Sequence, residues 1–324
     1  MNRNLKILLD RHWGVYLSVI VILLIIIGYG FSMLNKSEGG IFSREKESNN
    51  EISEHVGVFN APSVTAENVI VWDVRAGKSV YEKNSSVPKP LASITKVMTA
   101  LTALESVPKN TTVTIDYNSL AQDGNSNLIA GEKWLLKDLI DFSLVESSND
   151  GIAAVASAVG AISDGSPGKR NAGRVSFIDM MNQKARELDL GHMSFVNESG
   201  LDIYNETEAG AFGSAEDVAK LFSYVLTKHP DLFEATTHKD LRVRSLTGNT
   251  HIAKNTNNAL AEIPALIGSK TGYTDISGGN LGVILDPGIN YPMVIIVLGS
   301  TFEDRFKDVV ALSEATLDYF SSDN

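Results

Sequence analysis

ASITKVMTA, residues 92–100, sets Ser93 three positions ahead of Lys96 at the head of a stretch with helical periodicity. From Ser93 to Val107, apolar residues fall at 94, 97, 98, 101 and 104, the spacing of a helix that buries one face. Ser93 begins that helix and Lys96 follows one turn later on nearly the same face. There the free backbone N–H groups and the positive end of the helix dipole favour developing negative charge. A serine hydroxyl becomes a nucleophile when a neighbouring base takes its proton, and a lysine serves once its own proton affinity is lowered. The spacing alone selects nothing, because Ser43, Ser86, Ser106 and Ser166 also stand three residues before a lysine. The Ser43 pair lies in a polar stretch, the Ser86 and Ser106 pairs enclose Pro88 and Pro108, and the Ser166 pair sits in a loop rich in Gly and Pro. Only Ser93 has a rigid element to support it.

Two later motifs support the choice. ESSND places Ser147 and Asn149 at the break between two helical segments, and GSKTGYT places Lys270, Thr271 and Gly272 on a strand-like run. The order is then S-x-x-K at a helix start, S-x-N in an interhelical loop and K-T-G on a strand.

The surrounding chain supplies the architecture. Of 324 residues 43% are hydrophobic, enough for a substantial core, and the net charge of -11, spread along the chain, speaks against nucleic acid as a partner. There is no cysteine, hence no disulfide or thiolate metal site. The six histidines show no ligand spacing such as H-E-x-x-H, so no metal and no cofactor is predicted. Residues 13–34, WGVYLSVIVILLIIIGYGFSML, carry no charge over a length that crosses a bilayer as a helix, with Trp13, Tyr16 and Tyr29 placed for its interfaces. The run ends in NKSEGG without a small-residue cleavage site, which predicts an uncleaved anchor. Charge counting leaves its orientation open, since Arg3, Lys6 and Arg11 are matched by Lys36, Arg44 and Lys46. The predicted organisation is a short segment 1–12, the membrane helix 13–34, a polar tether 35–62 and a catalytic domain 63–324.

Within that domain, NVIVWDVRAGKSVYEKN reads as an opening hairpin, and LIGSKTGYT, GNLGVILD and YPMVIIVLG as three strands near the C-terminus. KWLLKDLIDFSLV, GIAAVASAVG, FIDMMNQKARELDL and SAEDVAKLFSYVLTK between them read as helices, and EDRFKDVVALSEATLDYF as a closing helix. Strands at both ends with helices between predict an α/β (α+β) domain whose sheet is assembled from the two ends of the chain, with a largely helical middle.

The three motifs together resemble those of serine penicillin-binding proteins and β-lactamases, and PLASITKVMTALTALE, SLVESSNDGIAAVA, FVNESGLD, KNTNNAL, GSKTGYTDISGGNLG and GSTFEDRFKDVVAL resemble, in order, segments of the low-molecular-mass D-alanyl-D-alanine carboxypeptidases. The resemblance covers roughly residues 62–320. It implies a DD-peptidase/β-lactamase-like antiparallel sheet flanked by helices, peptidoglycan stem peptides as substrate, and acylation by β-lactam antibiotics. By resemblance, Ser93 is the nucleophile and Lys96 its base, made competent by desolvation or by a second positive charge such as Lys270. Lys270 and Thr271 also grip the terminal carboxylate, Ser147 relays a proton to the leaving amine, and Asn149 binds the substrate amide or orients Lys96. The backbone N–H groups of Ser93 and Tyr273 form the oxyanion hole, Gly272 admits the substrate to the strand, and Arg305 helps bind the carboxylate. Such a substrate lies outside the cytoplasm, which implies a single-pass protein of the cell membrane with residues 35–324 on the outer side.

The chain departs from that family at two positions, Glu198 where a proline commonly follows the asparagine and Ser148 in place of a glycine. Many relatives also carry a second, β-rich domain and a C-terminal amphipathic helix, whereas this sequence ends at Asn324. Two rival functions are a β-lactamase, against which stands the lack of an E-x-x-L-N stretch between the second and third motifs, and a non-catalytic penicillin sensor or wall-binding domain. A DD-endopeptidase is a nearer variant that the motifs do not separate.

Overall fold

A computed structural model describes residues 58–165, 170–203, 207–288 and 290–321. The predicted membrane helix 13–34, the Ser43 pair, most of the tether and Ser166 to Lys169 lie outside these residues. Of the segment read as tether, Phe59 is described, and its ring stacks on Tyr81 at 5.4 Å and meets Tyr319 at 6.0 Å.

The opening hairpin forms as predicted. β1 (Asn68–Asp73) and β2 (Lys78–Lys83) pair antiparallel through a turn in which Gly77 has φ 63, and its N–H donates to the Asp73 carbonyl at 2.9 Å. The last three strands are β3 (Leu266–Thr274), β4 (Gly278–Leu285) and β5 (Met293–Ser300). The sheet order is β3-β4-β5-β1-β2, antiparallel throughout, so the first strand of the domain lies beside the last and Val71 stands opposite Ile295. The two ends of the chain therefore make one sheet.

Both faces of that sheet are covered, which explains why β5 is apolar at nearly every position rather than alternating. Met293, Ile295 and Val297 pack with Phe306, Val309 and Leu312 of the closing helix, while Val294, Ile296 and Leu298 face the main core. That core is built by the helical middle: α1 (Thr95–Ser106), α2 (Leu136–Glu146), α3 (Asn149–Ser163), α4 (Arg170–Glu187) and α5 (Ala215–Lys228). The closing helix is α6 (Asp304–Ser321).

Two elements differ from the periodicity. KWLLKDLIDFSLV is not helical from its start: Lys133–Leu135 is a strand paired with Thr112–Thr114, and α2 begins at Leu136. The pairing sets Trp134 opposite Val113 and wholly buries its ring beside Phe142 and His251, at 5.5 and 5.1 Å. The second difference is α1, expected to bury one face, in which every residue from Thr95 to Leu104 is buried. Small residues at Thr99, Ala100, Thr102 and Ala103 let α2, α3, α4 and α5 close around it, and Lys96 goes into the core with it.

Candidate active site

Ser93 lies in a single 3-10 turn, Ala92–Ile94, that leads into α1 at Thr95, and neither helix start is capped by a side chain. The serine is therefore not an ordinary helix cap; its Oγ lies 2.7 Å from Lys96 Nζ. The residue before it, Ala92, has φ 47, a left-handed conformation that costs a non-glycine residue about 1–3 kcal/mol. Its surroundings hold it there. Leu91 N–H donates to the Ala211 carbonyl at 3.0 Å, and Asn280 on β4 donates to the Pro90 carbonyl at 2.9 Å. Gly200, at φ 77, packs so closely that a Cβ there would stand 1.9 Å from the Ala92 carbonyl oxygen.

Lys96 is wholly buried and has three neighbours for its Nζ: Ser93 Oγ at 2.7 Å, Asn149 Oδ1 at 2.7 Å and the Ser199 carbonyl at 3.0 Å. Burial pulls its proton affinity down from 10.5 to about 7, and the carboxylate of Glu198 opposes that pull. Of the two routes anticipated for activating this lysine, desolvation dominates.

The S-x-N motif forms the joint between α2 and α3. Ser147 ends α2 in a left-handed conformation, φ 60, and Ser148 caps α3 by accepting the Gly151 N–H at 2.9 Å. That cap gives a physical reason for serine rather than glycine at 148. Asn149 then opens α3 with its amide oxygen on Lys96 and its Nδ2 donating to the Asp123 carbonyl at 2.7 Å. Of the two roles left open for it, this geometry is that of a residue that orients Lys96.

Lys270 enters from β3, the outer strand of the sheet, and is 2% exposed. Its Nζ donates to Ser147 Oγ at 2.9 Å and to the Thr271 carbonyl at 2.8 Å. Burial, then the charges of Lys96 and Arg305, lower its proton affinity well below the usual lysine value. Thr271 Oγ1 meets Thr256 Oγ1 at 2.5 Å. Gly272 lies against the nucleophile's turn: a Cβ there would come 2.8 Å from the Leu91 carbonyl oxygen and 3.1 Å from the Ser93 nitrogen.

Arg305, the first turn of α6, is 4% exposed and is no surface arginine despite Glu303 and Asp304 beside it in sequence. Its Nη1 donates to the Gly272 carbonyl at 2.8 Å, and its guanidinium stands 4.5 Å from the Phe302 ring centroid and 4.7 Å from that of Phe306. Burial lowers its proton affinity to about 10, so it remains a cation at neutral pH. Phe302 meets Tyr273 edge to face at 5.0 Å, and the Tyr273 hydroxyl donates to Asp275 at 3.0 Å. Ser93, Ser147, Thr271, Gly272, Tyr273 and Arg305 all line one cleft of about 350 Å³. Lys96 is joined to Ser93 and Lys270 to Ser147 and Thr271 by the hydrogen bonds above, and Asn149 is joined to them through Lys96. Every candidate residue is thus brought to one place.

The sequence profile of D-alanyl-D-alanine carboxypeptidases matches residues 56–301. The chain belongs to that family. A D-alanyl-D-alanine carboxypeptidase of Bacillus subtilis, DacF, is 27% identical over 253 residues, which cover 76% of this chain and 61% of the relative. A D-alanyl-D-alanine endopeptidase of Escherichia coli is 26% identical over 243 residues, covering 73% of this chain and 72% of that protein. Among solved structures, a penicillin-binding protein from Listeria monocytogenes in a cefotaxime-bound form is similar with a TM-score of 0.62 and 26% identity, over 78% of this chain and 98% of that one. The DD-peptidase fold anticipated from the motifs is the fold observed. This chain thus spans about three fifths of the length of its Bacillus relative.

Several residues of this carboxypeptidase-family cleft escaped the sequence reading. Thr256, Asn258 and Phe302 line it, and the Ser199 carbonyl completes the setting of Lys96. KNTNNAL and FVNESGLD contain Thr256, Asn258 and Ser199, but as segments of the resemblance only. Nothing in residue type marks a threonine hydroxyl as a partner for Thr271, and a backbone carbonyl leaves no signature at all.

Proposed function

We propose that this protein is a serine D-Ala-D-Ala carboxypeptidase, held at the outer face of the cell membrane by residues 13–34, that removes the terminal D-alanine from peptidoglycan stem peptides and is acylated by β-lactams. The observation that carries the reading is a serine hydroxyl 2.7 Å from a buried lysine amine whose proton affinity sits at about 7, inside a cleft that also presents Arg305. At neutral pH a large share of that amine is free to accept a proton, which an exposed lysine is not.

The chemistry follows from these positions. A stem peptide laid along β3, the outer strand, adds its backbone to the sheet, and Gly272, lacking a Cβ, lets that strand close against the Ser93 turn. Its terminal carboxylate is met by the cationic end of the cleft, where Arg305 and Thr271 stand and the arriving anion favours the charged form of Lys270. Ser93 Oγ forms a bond to the penultimate carbonyl carbon while its proton passes to Lys96. The oxyanion is taken by the N–H groups of Ser93 and Tyr273. The C–N bond then breaks, the leaving D-alanine amine receiving its proton through Ser147. Water cleaves the resulting ester and regenerates the hydroxyl. In a β-lactam the broken bond stays tethered within the ring, so the departing nitrogen blocks the water. The relative solved in a cefotaxime-bound form supports the reading that a β-lactam enters this cleft.

A second reading rests on the relatives, since proteins named endopeptidases are matched over 72% and 74% of their own lengths. A crosslink cut on the carboxyl side of D-alanine also presents a carboxylate beside the scissile bond, so the same cleft accepts it. The deciding experiment incubates the protein with a diacyl-tripeptide ending in D-Ala-D-Ala and with a crosslinked dimer. Release of free D-alanine, abolished together with fluorescent-penicillin labelling by Ser93→Ala, is the expected result. Cleavage of the dimer alone establishes the endopeptidase, rapid turnover of penicillin a β-lactamase, and labelling without any peptide cleavage a sensor.

A further inference from the structure

Behind Lys96 lies a second ionic group that the reaction as described does not use. Glu198 is wholly buried, and Arg174, reaching in from α4 with about 30% exposure, donates from Nε to its Oε2 at 2.8 Å. The other carboxylate oxygen, Oε1, is buried with no hydrogen-bond partner. A half-satisfied buried charge is unfavourable by itself, and its field reaches far in a poorly screened interior.

The backbone that carries Glu198 grips α1 at two successive turns. The Ser199 carbonyl lies on Lys96 Nζ at 3.0 Å, and the Glu198 carbonyl accepts the Thr99 hydroxyl at 2.6 Å. Asn197 folds this segment into a hook, its Oδ1 accepting the N–H of Ser199 at 3.2 Å and that of Gly200 at 2.7 Å. Gly200 in turn presses on the Ala92 carbonyl beside the nucleophile. Arg174 also donates to Gln122 Oε1 at 3.0 Å, and the residue after Gln122, Asp123, gives its carbonyl to Asn149. One arginine thus braces both the hook under Lys96 and the segment that holds Asn149.

We propose that Glu198 and Arg174 are positioning residues of the acylation step, Glu198 holding the hook under Lys96 and setting a buried negative charge behind it, Arg174 bracing the hook and partly neutralising that charge. The inference rests on the reading of Lys96 as the base. The charged groups facing Lys96 are Glu198 from the hook and Lys270 from β3, with Arg305 acting on Lys270 from α6 and Arg174 on Glu198 from α4. Its remaining contacts, Ser93, Asn149 and the Ser199 carbonyl, carry no charge. The proline that the resemblance leads one to expect at 198 would supply no such field.

The test is the pH dependence of acylation by a fluorescent penicillin, measured on the full chain. Glu198→Gln removes the buried charge, so the free amine persists to lower pH and the acid limb of the profile moves down by about one pH unit. Arg174→Gln leaves the carboxylate uncompensated and moves the limb up, and Arg174→Lys restores it. Opposite shifts from the two halves of one ion pair are a result that a merely structural role does not give. Limbs that stay at the wild-type position, or move the same way in both variants, overturn the inference. Should Glu198→Gln fail to fold, an unmoved or lowered limb in Arg174→Gln does so alone. An unsubstituted protein that takes no label overturns the proposed function itself, a failure separable from labelling with unmoved limbs.

Discussion

Lys96 comes to the cleft on a helix and Lys270 on the outer strand of the sheet, and both are buried, yet their settings differ. Lys96 has the carboxylate of Glu198 to offset its burial, while around Lys270 the neighbouring charges are those of Lys96 and Arg305. The first setting leaves an amine balanced near neutrality, suited to taking a proton and returning it. The second disfavours a positive charge, and an anion entering the cleft favours it. Desolvation acts on both lysines, and the signs of the neighbouring charges divide the labour between them.

The largest effect to be expected from breaking this contrast comes from Lys96→Arg. A guanidinium keeps its proton at any working pH, so acylation by penicillin falls by about 10³-fold. Lys270→Arg keeps the cation that this position requires and lowers the rate by only about 10-fold. Time-resolved labelling measures both, and equal losses would break the division of labour. A smaller effect sharpens it. Both lysines bind protons less tightly folded than unfolded, and for Lys96 the unfolded chain holds more protons between about 7 and 10.5. Stability is penalised fully below the folded value and recovers as pH rises from the folded value to the unfolded one. Replacing Lys96 by Met is expected to reduce the gain in unfolding free energy between pH 7 and 9 by about 2 kcal/mol in denaturant titrations.

Much of this was legible in the chain. The sheet could be read because β1 and β5 are dense in β-branched residues and lie at opposite ends of the domain, with helices between them. Ser93, Lys96, Ser147 and Asn149 could be read because each sits at a boundary of regular structure that sequence marks well, and Lys270 because the K-T-G triplet stands within a strand-like run. The burial of α1 on every side was not legible, since threonine and alanine at 99, 100, 102 and 103 look like a half-exposed face until the helices that enclose them are placed. The same holds for Arg305, whose acidic neighbours in sequence disguise a cation buried under aromatic rings. Glu198 appeared only as a departure from a motif, and its meaning needed Arg174, which comes from a separate helix.

In the folded protein Lys96 titrates near neutrality, so about half of its amine is uncharged at pH 7. That charge state is tested most directly by NMR titration of isotope-labelled lysine side chains, with the Lys96 signal assigned through Lys96→Arg. A midpoint near 7 is expected for this one side chain. A midpoint near 10.5, the value of an ordinary lysine, would contradict it.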